Sequence, residues 1–103
     1  MRKKAIQIDD KDNVATTTSE VKDGEIIDVI SPDGRVILTT KVSEFIPFGH
    51  KLAIKFIKKG DNIVKYGEVI GAATQPIKGG AWVNTHNLGS VRMPTSGKEV
   101  GIL

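Results

Sequence analysis

Glu25-Ile26-Ile27-Asp28-Val29-Ile30-Ser31-Pro32-Asp33-Gly34-Arg35-Val36-Ile37-Leu38-Thr39-Thr40-Lys41-Val42 is the stretch that decides the fold class. Two runs rich in β-branched residues flank Ser-Pro-Asp-Gly. Pro32 pre-sets the φ of a turn and Asp33-Gly34 closes it, so residues 25–30 and 35–42 read as the arms of a β-hairpin. Outward from this hairpin the period stays near two. In Lys51-Leu52-Ala53-Ile54-Lys55-Phe56-Ile57, the residues Leu52, Ile54 and Phe56 fall on one face and Lys51, Ala53 and Lys55 on the other, the pattern of a half-buried strand. Further short strands are expected at 4–8, 14–18, 62–65, 69–73 and 81–85. No ten-residue segment spaces its apolar residues by three and four, and only 42–48 has room for a single helical turn. The chain therefore reads as all-β, with at most one or two short helical turns.

An apolar residue, two arbitrary residues and then glycine recur five times: Val21-Lys-Asp-Gly24, Ile46-Pro-Phe-Gly49, Ile57-Lys-Lys-Gly60, Val64-Lys-Tyr-Gly67 and Ile77-Lys-Gly-Gly80. The glycines lie 25, 11, 7 and 13 residues apart. That spacing is too irregular for a solenoid or propeller, and the theme reads as turn punctuation. After Asn87 the pattern dissolves. Residues 88–103 hold three glycines, two serines and a proline without periodicity, so the domain is expected over 1–87 and a tail or linker over 88–103. Such a tail would be ordered only by docking Val91, Met93 or Val100-Gly101-Ile102-Leu103.

The 103 residues, 39% of them hydrophobic and 26% charged, suit one soluble domain that buries about 65% of its unfolded surface. Few complete enzymes fit in that length, which favours a small enzyme, a binding module or one part of something larger. No apolar run reaches the roughly 18 residues of a membrane span. Met1-Arg2-Lys3-Lys4 gives way to acidic residues before a signal-peptide apolar segment forms, so a cytoplasmic location is the default expectation. With no cysteine, disulfides, thiolate catalysis and Cys-type zinc sites are excluded together. The net charge of +3 suits a small anionic ligand. Nucleic acid is not the expected partner, because Lys51, Lys55, Lys58, Lys59 and Lys65 are spread among apolar residues and only five aromatics are present for stacking.

Two histidines are the main candidates for chemistry. His50 stands in Phe48-Gly49-His50-Lys51 and His86 in Asn84-Thr85-His86-Asn87, each beside a second polar residue at a strand end. From the residues alone they are either a pair converging on an anionic or metal-bound substrate or two unrelated surface side chains. Asp9, Asp10, Asp12 and Asn13 form either an oxygen-rich cation loop or an ordinary Asp/Asn turn. Thr16-Thr17-Thr18-Ser19 reads as strand, and Trp82 as a packing aromatic. Tyr66 sits beside the turn glycine Gly67, where its hydroxyl can reach a site. No Gly-rich phosphate loop occurs.

Three segments carry a resemblance. Asp12-Asn13-Val14-Ala15, Ile46-Pro47-Phe48-Gly49-His50-Lys51-Leu52-Ala53, and Tyr66-Gly67-Glu68-Val69-Ile70-Gly71-Ala72-Ala73 leading to Ile77-Lys78-Gly79-Gly80-Ala81-Trp82-Val83 together resemble the small amino-terminal domain of altronate and galactarate dehydratases. The same domain is the separate small subunit of sulfolactate sulfo-lyase. The resemblance runs from about Asp12 to Asn87 and implies an SAF-type β-clip fold, shared with type III antifreeze proteins. It implies a small subunit or N-terminal domain of a sugar-acid dehydratase, a hydro-lyase of carbohydrate metabolism that is inactive without a large catalytic subunit. It also implies Fe2+ or Mn2+ in the complete enzyme and a small anionic sugar acid as substrate. By that likeness His50 is an acid/base or metal ligand and Lys51 a carboxylate clamp. Asn13, Asn87, His86 and Tyr66 become substrate contacts, with His86 a second candidate metal ligand. The likeness departs at one point: relatives commonly read His-x-His-Asn where this chain has Asn84-Thr85-His86-Asn87, and an amide is a poorer iron or manganese ligand than an imidazole. The other readings are a non-catalytic β-clip module binding a carbohydrate or organic acid, and, more weakly, a nucleic-acid binder. A homo-oligomer is compatible with each.

Overall fold

The computed structural model describes residues 2–90. They form nine short strands and no helix: β1 (Lys4–Ile6), β2 (Val14–Thr17), β3 (Ile26–Ile30), β4 (Val36–Lys41), β5 (Lys51–Ala53), β6 (Asn62–Lys65), β7 (Glu68–Ala73), β8 (Trp82–Val83) and β9 (Leu88–Gly89). The all-β expectation holds, and the architecture is that of a β-clip. A six-stranded sheet runs in the order β4-β3-β1-β2-β5-β8, and a three-stranded sheet in the order β6-β7-β9. Only the β1–β3 pair is parallel.

The decisive hairpin is present as β3–β4, paired from Ile26↔Lys41 to Ile30↔Val36. Ser31 and Arg35 close its end, with Gly34 N–H donating to Ser31 O at 2.9 Å and Gly34 at φ 91°. The Ser31 hydroxyl also holds the Asp33 carboxyl below the ordinary aspartate range, assisted by the Arg35 backbone N–H.

Two hydrophobic clusters share one wall. Ala5, Ala15, Val21, Ile27, Val29, Val42, Ile46 and Leu52 make the first; Val14, Ala53, Ile57, Ile63, Ala73, Ile77, Ala81 and Val83 make the second. Adjacent residues of β2 (Val14, Ala15) and of β5 (Leu52, Ala53) belong to different clusters, because successive side chains of a strand leave on opposite faces. Both faces of these central strands are therefore covered, and small Ala15 and Ala53 let the flanking layers approach. Each fully buried Ile or Val adds about 1.5–3 kcal/mol of transfer free energy to this arrangement.

Four of the five glycine-terminated turns are structurally equivalent. Val21 and Ile46 exchange both backbone hydrogen bonds at 2.9 Å, and Ile57 and Ile77 do the same at 2.8 and 2.9 Å. In the first pair Gly24 N–H donates to Val42 O and Gly49 N–H to Thr17 O; in the second, Gly60 donates to Ala73 O and Gly80 to Ala53 O. In every case the acceptor lies four residues before the apolar residue of the opposite turn. The chain thus builds the same clip twice, and the irregular spacing along the sequence conceals it. Val64-Lys-Tyr-Gly67 is different: it is the β6–β7 hairpin turn, with Tyr66 at φ 57° and Gly67 at φ 73°.

The structure departs from the sequence reading in three places. The strand expected over 51–57 ends at Ala53. There Ile54 N–H turns to Asn13 O at 3.1 Å and Ile57 joins Ile77; Ala53, assigned to the solvent face, is fully buried, and Phe56, assigned to the core, is 58% exposed. Residues 42–48 form no helical turn, because Ile46 is committed to its bridge with Val21. Leu88–Gly89, placed in the tail by the sequence, pairs with Ala72 and Ala73 of β7. The remainder of that expected tail, from Val91 on, lies outside the described residues. Among the described residues no helix is long and apolar enough to cross a membrane.

Candidate active site

The β5–β8 pairing brings the histidines together through a third residue. Leu52 pairs with Trp82 and Lys51 with Val83. Directly opposed residues share a face, so Trp82 stands on the side of the first cluster, against which it packs. His50, two residues before Leu52, reaches that side as well. Its Nδ1 accepts a hydrogen bond from Trp82 Nε1–H at 3.2 Å, and the two rings meet edge-on with centroids 5.6 Å apart. His86 meets the same indole at 5.4 Å. Trp82 is thus the common neighbour of both imidazoles.

This contact sets the chemistry of His50. The indole N–H only donates, so Nδ1 must carry its lone pair and the neutral ring holds its proton on Nε2. Half-buried His50 therefore offers a hydrogen-bond donor, Nε2–H, to anything that approaches. Trp82 is itself fixed by its own backbone: its N–H donates to Glu44 Oε2 at 3.1 Å, and its carbonyl accepts from Asn87 Nδ2 at 2.8 Å. Glu44, Phe56, Gln75, Lys78, His86 and Asn87 are among the residues lining an adjoining groove of about 460 Å³, a volume suited to a small organic molecule.

Lys51 is not part of this group. It leaves β5 on the other face, with Val83 and the second cluster. Burial pushes its ammonium below the ordinary lysine range, and the charge of Lys65 adds to the shift. The Lys65 ammonium lies 4.9 Å from the centroid of the Tyr66 ring. Lys51, Lys65 and Tyr66 thus make a second, cationic group across the sheet from the histidines.

The two asparagines are occupied. Asn13 Nδ2 donates to Asn62 O at 2.9 Å and its Oδ1 accepts from Val64 N–H at 2.8 Å, tying the β1–β2 loop to β6. Asn87 Oδ1 accepts from Asn84 N–H at 2.9 Å, which closes the turn that presents His86. The acidic loop resolves as a structural turn: Asp12 accepts backbone N–H groups from Asp9, Tyr66 and Gly67 at 3.1, 3.0 and 2.8 Å.

Among the described residues no three His, Asp or Glu side chains gather as a metal-ligand set. His50 Nδ1 is engaged by Trp82, and ligation through Nε2 would require the other tautomer and the loss of that bond. These residues do not fit a self-contained metal centre. Glu44 is a participant that the sequence did not single out, and Trp82, read there as a packing aromatic, does pack on the first cluster but also joins the two histidines. A signal for Trp82 exists only once register is known, since its partner Leu52 stands two positions from His50.

The Altronate/galactarate dehydratase SAF domain model matches residues 3–91. Over 85 residues the chain is 35% identical to an altronate dehydratase of Bacillus subtilis, covering 82% of this chain and 16% of that protein. It is 37% identical over 79 residues to a galactarate dehydratase (L-threo-forming) of Escherichia coli, covering 77% of this chain and 14% of that protein. It is also 42% identical over 59 residues to the (2R)-sulfolactate sulfo-lyase subunit alpha of Paracoccus pantotrophus, covering 57% of this chain and 85% of that subunit. The chain therefore spans about a sixth of the dehydratases it matches and most of the lyase subunit.

Proposed function

Since the chain belongs to the altronate/galactarate dehydratase SAF domain family, we propose that it is the small component of a sugar-acid hydro-lyase, presenting His50 to a site completed by a large catalytic body. The observation that carries this reading is the Trp82-to-His50 hydrogen bond. It leaves Nε2–H as a donor of fixed orientation, while His86, the other neighbour of the same indole, lines a groove of small-molecule size. Dehydration of a hydroxy acid draws a proton from the carbon next to the carboxylate and expels hydroxide from the neighbouring carbon, so negative charge gathers on substrate oxygens. A donor held in place by Trp82 stabilises such an oxygen without reorganising during the reaction. The proton-abstracting base and the metal expected for these enzymes belong, in this reading, to the large component. His86 on the same indole supplies a second polar contact, and Asn87 acts by holding the His86 turn.

The test is made on the assembled enzyme, the chain together with its large component. His50→Ala should lower kcat by about 10²-fold or more while leaving the unfolding midpoint of the chain nearly unchanged, and His50→Gln, which restores a neutral donor, should recover part of the loss. Full turnover by the His50→Ala assembly would sink the catalytic role. Calorimetric titration of the isolated chain with altronate, galactarate and sulfolactate separates the alternative: silence agrees with a shared site, whereas millimolar or tighter binding marks a self-sufficient binding module.

A further inference from the structure

All three phenylalanines of this chain are exposed, Phe45 to 48%, Phe48 to 69% and Phe56 to 58%. Phenylalanine is among the residue types most often buried, yet neither hydrophobic cluster contains one. The three are gathered at one place. Phe45 follows Glu44, whose carboxylate accepts the Trp82 N–H. Phe48 stands two residues before His50, whose Nδ1 accepts from the Trp82 indole. Phe45 and Phe48 are thus at most about 4 and 8 Å, Cα to Cα, from residues whose side chains touch Trp82. Phe56 lines the groove together with Glu44 and with His86, which meets the same indole.

Positive charge borders this aromatic surface. Lys55 precedes Phe56 and Lys78 lines the groove. The two lysine-bearing segments run side by side, since a Cβ added at Gly79 would meet the Lys55 backbone at 3.6 Å. Both lysines are exposed, and neither forms an ion pair among the described residues. An apolar centre with a charged rim is the anatomy of a protein–protein interface. A second copy of the chain fits it poorly. A two-fold interface brings the same patch from each side, so it would double the positive charge of Lys55 and Lys78. A body whose apolar face is bordered by carboxylates satisfies both parts. The matching stretch is 16% of the altronate dehydratase relative, so a body several times larger than this domain accompanies it there.

We propose that Phe45, Phe48 and Phe56 form the surface on which the large component docks, that component presenting apolar side chains to the phenylalanines and carboxylates to Lys55 and Lys78. The inference rests on the reading of the chain as the small part of a hydro-lyase, and it names the face by which the two parts meet. A body seated on these three side chains lies over Trp82 and both of its histidines. Excluding water there strengthens a hydrogen bond from His50 Nε2–H to a charged substrate oxygen.

Because the chain has only three phenylalanines, 4-fluorophenylalanine labels this surface and nothing else. In the free chain all three fluorine signals should be broadened by a neutral soluble gadolinium chelate, and in the assembly with the large component all three should be protected from it. Phe48→Ser and Phe56→Ser should each weaken assembly about tenfold or more without lowering the unfolding midpoint of the free chain, whereas Val69→Ser, on β7 and 49% exposed, should leave the affinity unchanged. Lys55→Glu with Lys78→Glu should slow association about tenfold at low salt and flatten its salt dependence. Signals that stay broadened in an assembly seen intact by sedimentation would overturn the proposal, as would full affinity in both phenylalanine variants. Protection that arises in the free chain from concentration alone, or from phosphatidylglycerol vesicles, with none added by the large component, would assign the surface to a second copy or to a membrane and overturn it equally. The two readings fail separately. Unprotected signals in an assembly whose turnover depends on His50 remove the docking surface alone, and protected signals in an assembly that keeps full turnover with His50→Ala remove the catalytic role alone.

Discussion

At the scale of single residues, two side chains illustrate opposite uses of charge. Asp12 is buried, yet its carboxylate gathers three backbone N–H groups and so fastens the β6–β7 turn to the β1–β2 loop. Asp12→Ala should cost about 3 kcal/mol in urea unfolding, since three buried donors lose their acceptor at once; a loss under about 1 kcal/mol would show the turn to be self-supporting. Lys51 shows the reverse. Its half-buried ammonium, disfavoured by burial and then by Lys65, titrates below the usual 10.5. In the window between that lowered value and 10.5 the unfolded chain binds more protons than the folded one, so stability rises with pH there. Lys51→Met should flatten that rise and raise stability at pH 7 by roughly 0.5 kcal/mol or less, because the group is only partly buried and solvent screens it. Denaturation midpoints measured for both proteins across the alkaline range check the sign. Of the candidate residues, His50 and His86 were visible in the sequence as a pair of types without a geometry. The indole joining them was not, because Trp82 reaches His50 only through strand register. Asn13 and Asn87 looked equally available in the sequence, and their internal bonds could be found only from the fold.

At the scale of elements, the clip is the unit that repeats. Gly80 shows how little tolerance it has: φ is 87°, and a Cβ at this position would overlap the Lys41 carbonyl. Gly80→Ala should therefore destabilise by about 3 kcal/mol or more, combining left-handed strain with a backbone collision. Gly24→Ala, with a similar φ of 90° and open space around the glycine, should cost only about 1 kcal/mol. Equal losses in thermal unfolding would contradict the collision. The hairpin of β3 and β4 was legible because Pro32, Asp33 and Gly34 specify a turn locally. The strand after His50 was legible only to Ala53, since the alternation of Leu52, Ile54 and Phe56 continues past the point where tertiary bonds bend the backbone. The equivalence of the four clip turns left no trace in their spacing because the connections between them differ in length.

At the scale of the whole molecule, β2 and β5 form a wall with a hydrophobic cluster on each side. Neither cluster closes without those strands, so the described domain should unfold as one unit. Ile27→Ala in the first cluster and Ile63→Ala in the second, both fully buried, should each cost roughly 2–5 kcal/mol. Both should shift a single transition seen identically by far-ultraviolet circular dichroism and by tryptophan emission. Two separated transitions would mean that the halves are independent. The emission itself has a further use. Trp82 is the chain's one tryptophan, and it touches both of the chain's histidines. An imidazolium quenches a neighbouring indole, and protonation of His50 Nδ1 also removes the acceptor of the indole N–H. The colour and intensity of this protein's fluorescence therefore form a label-free optical record of the protonation of its candidate site, readable in the free chain and again once a larger body or a ligand covers it.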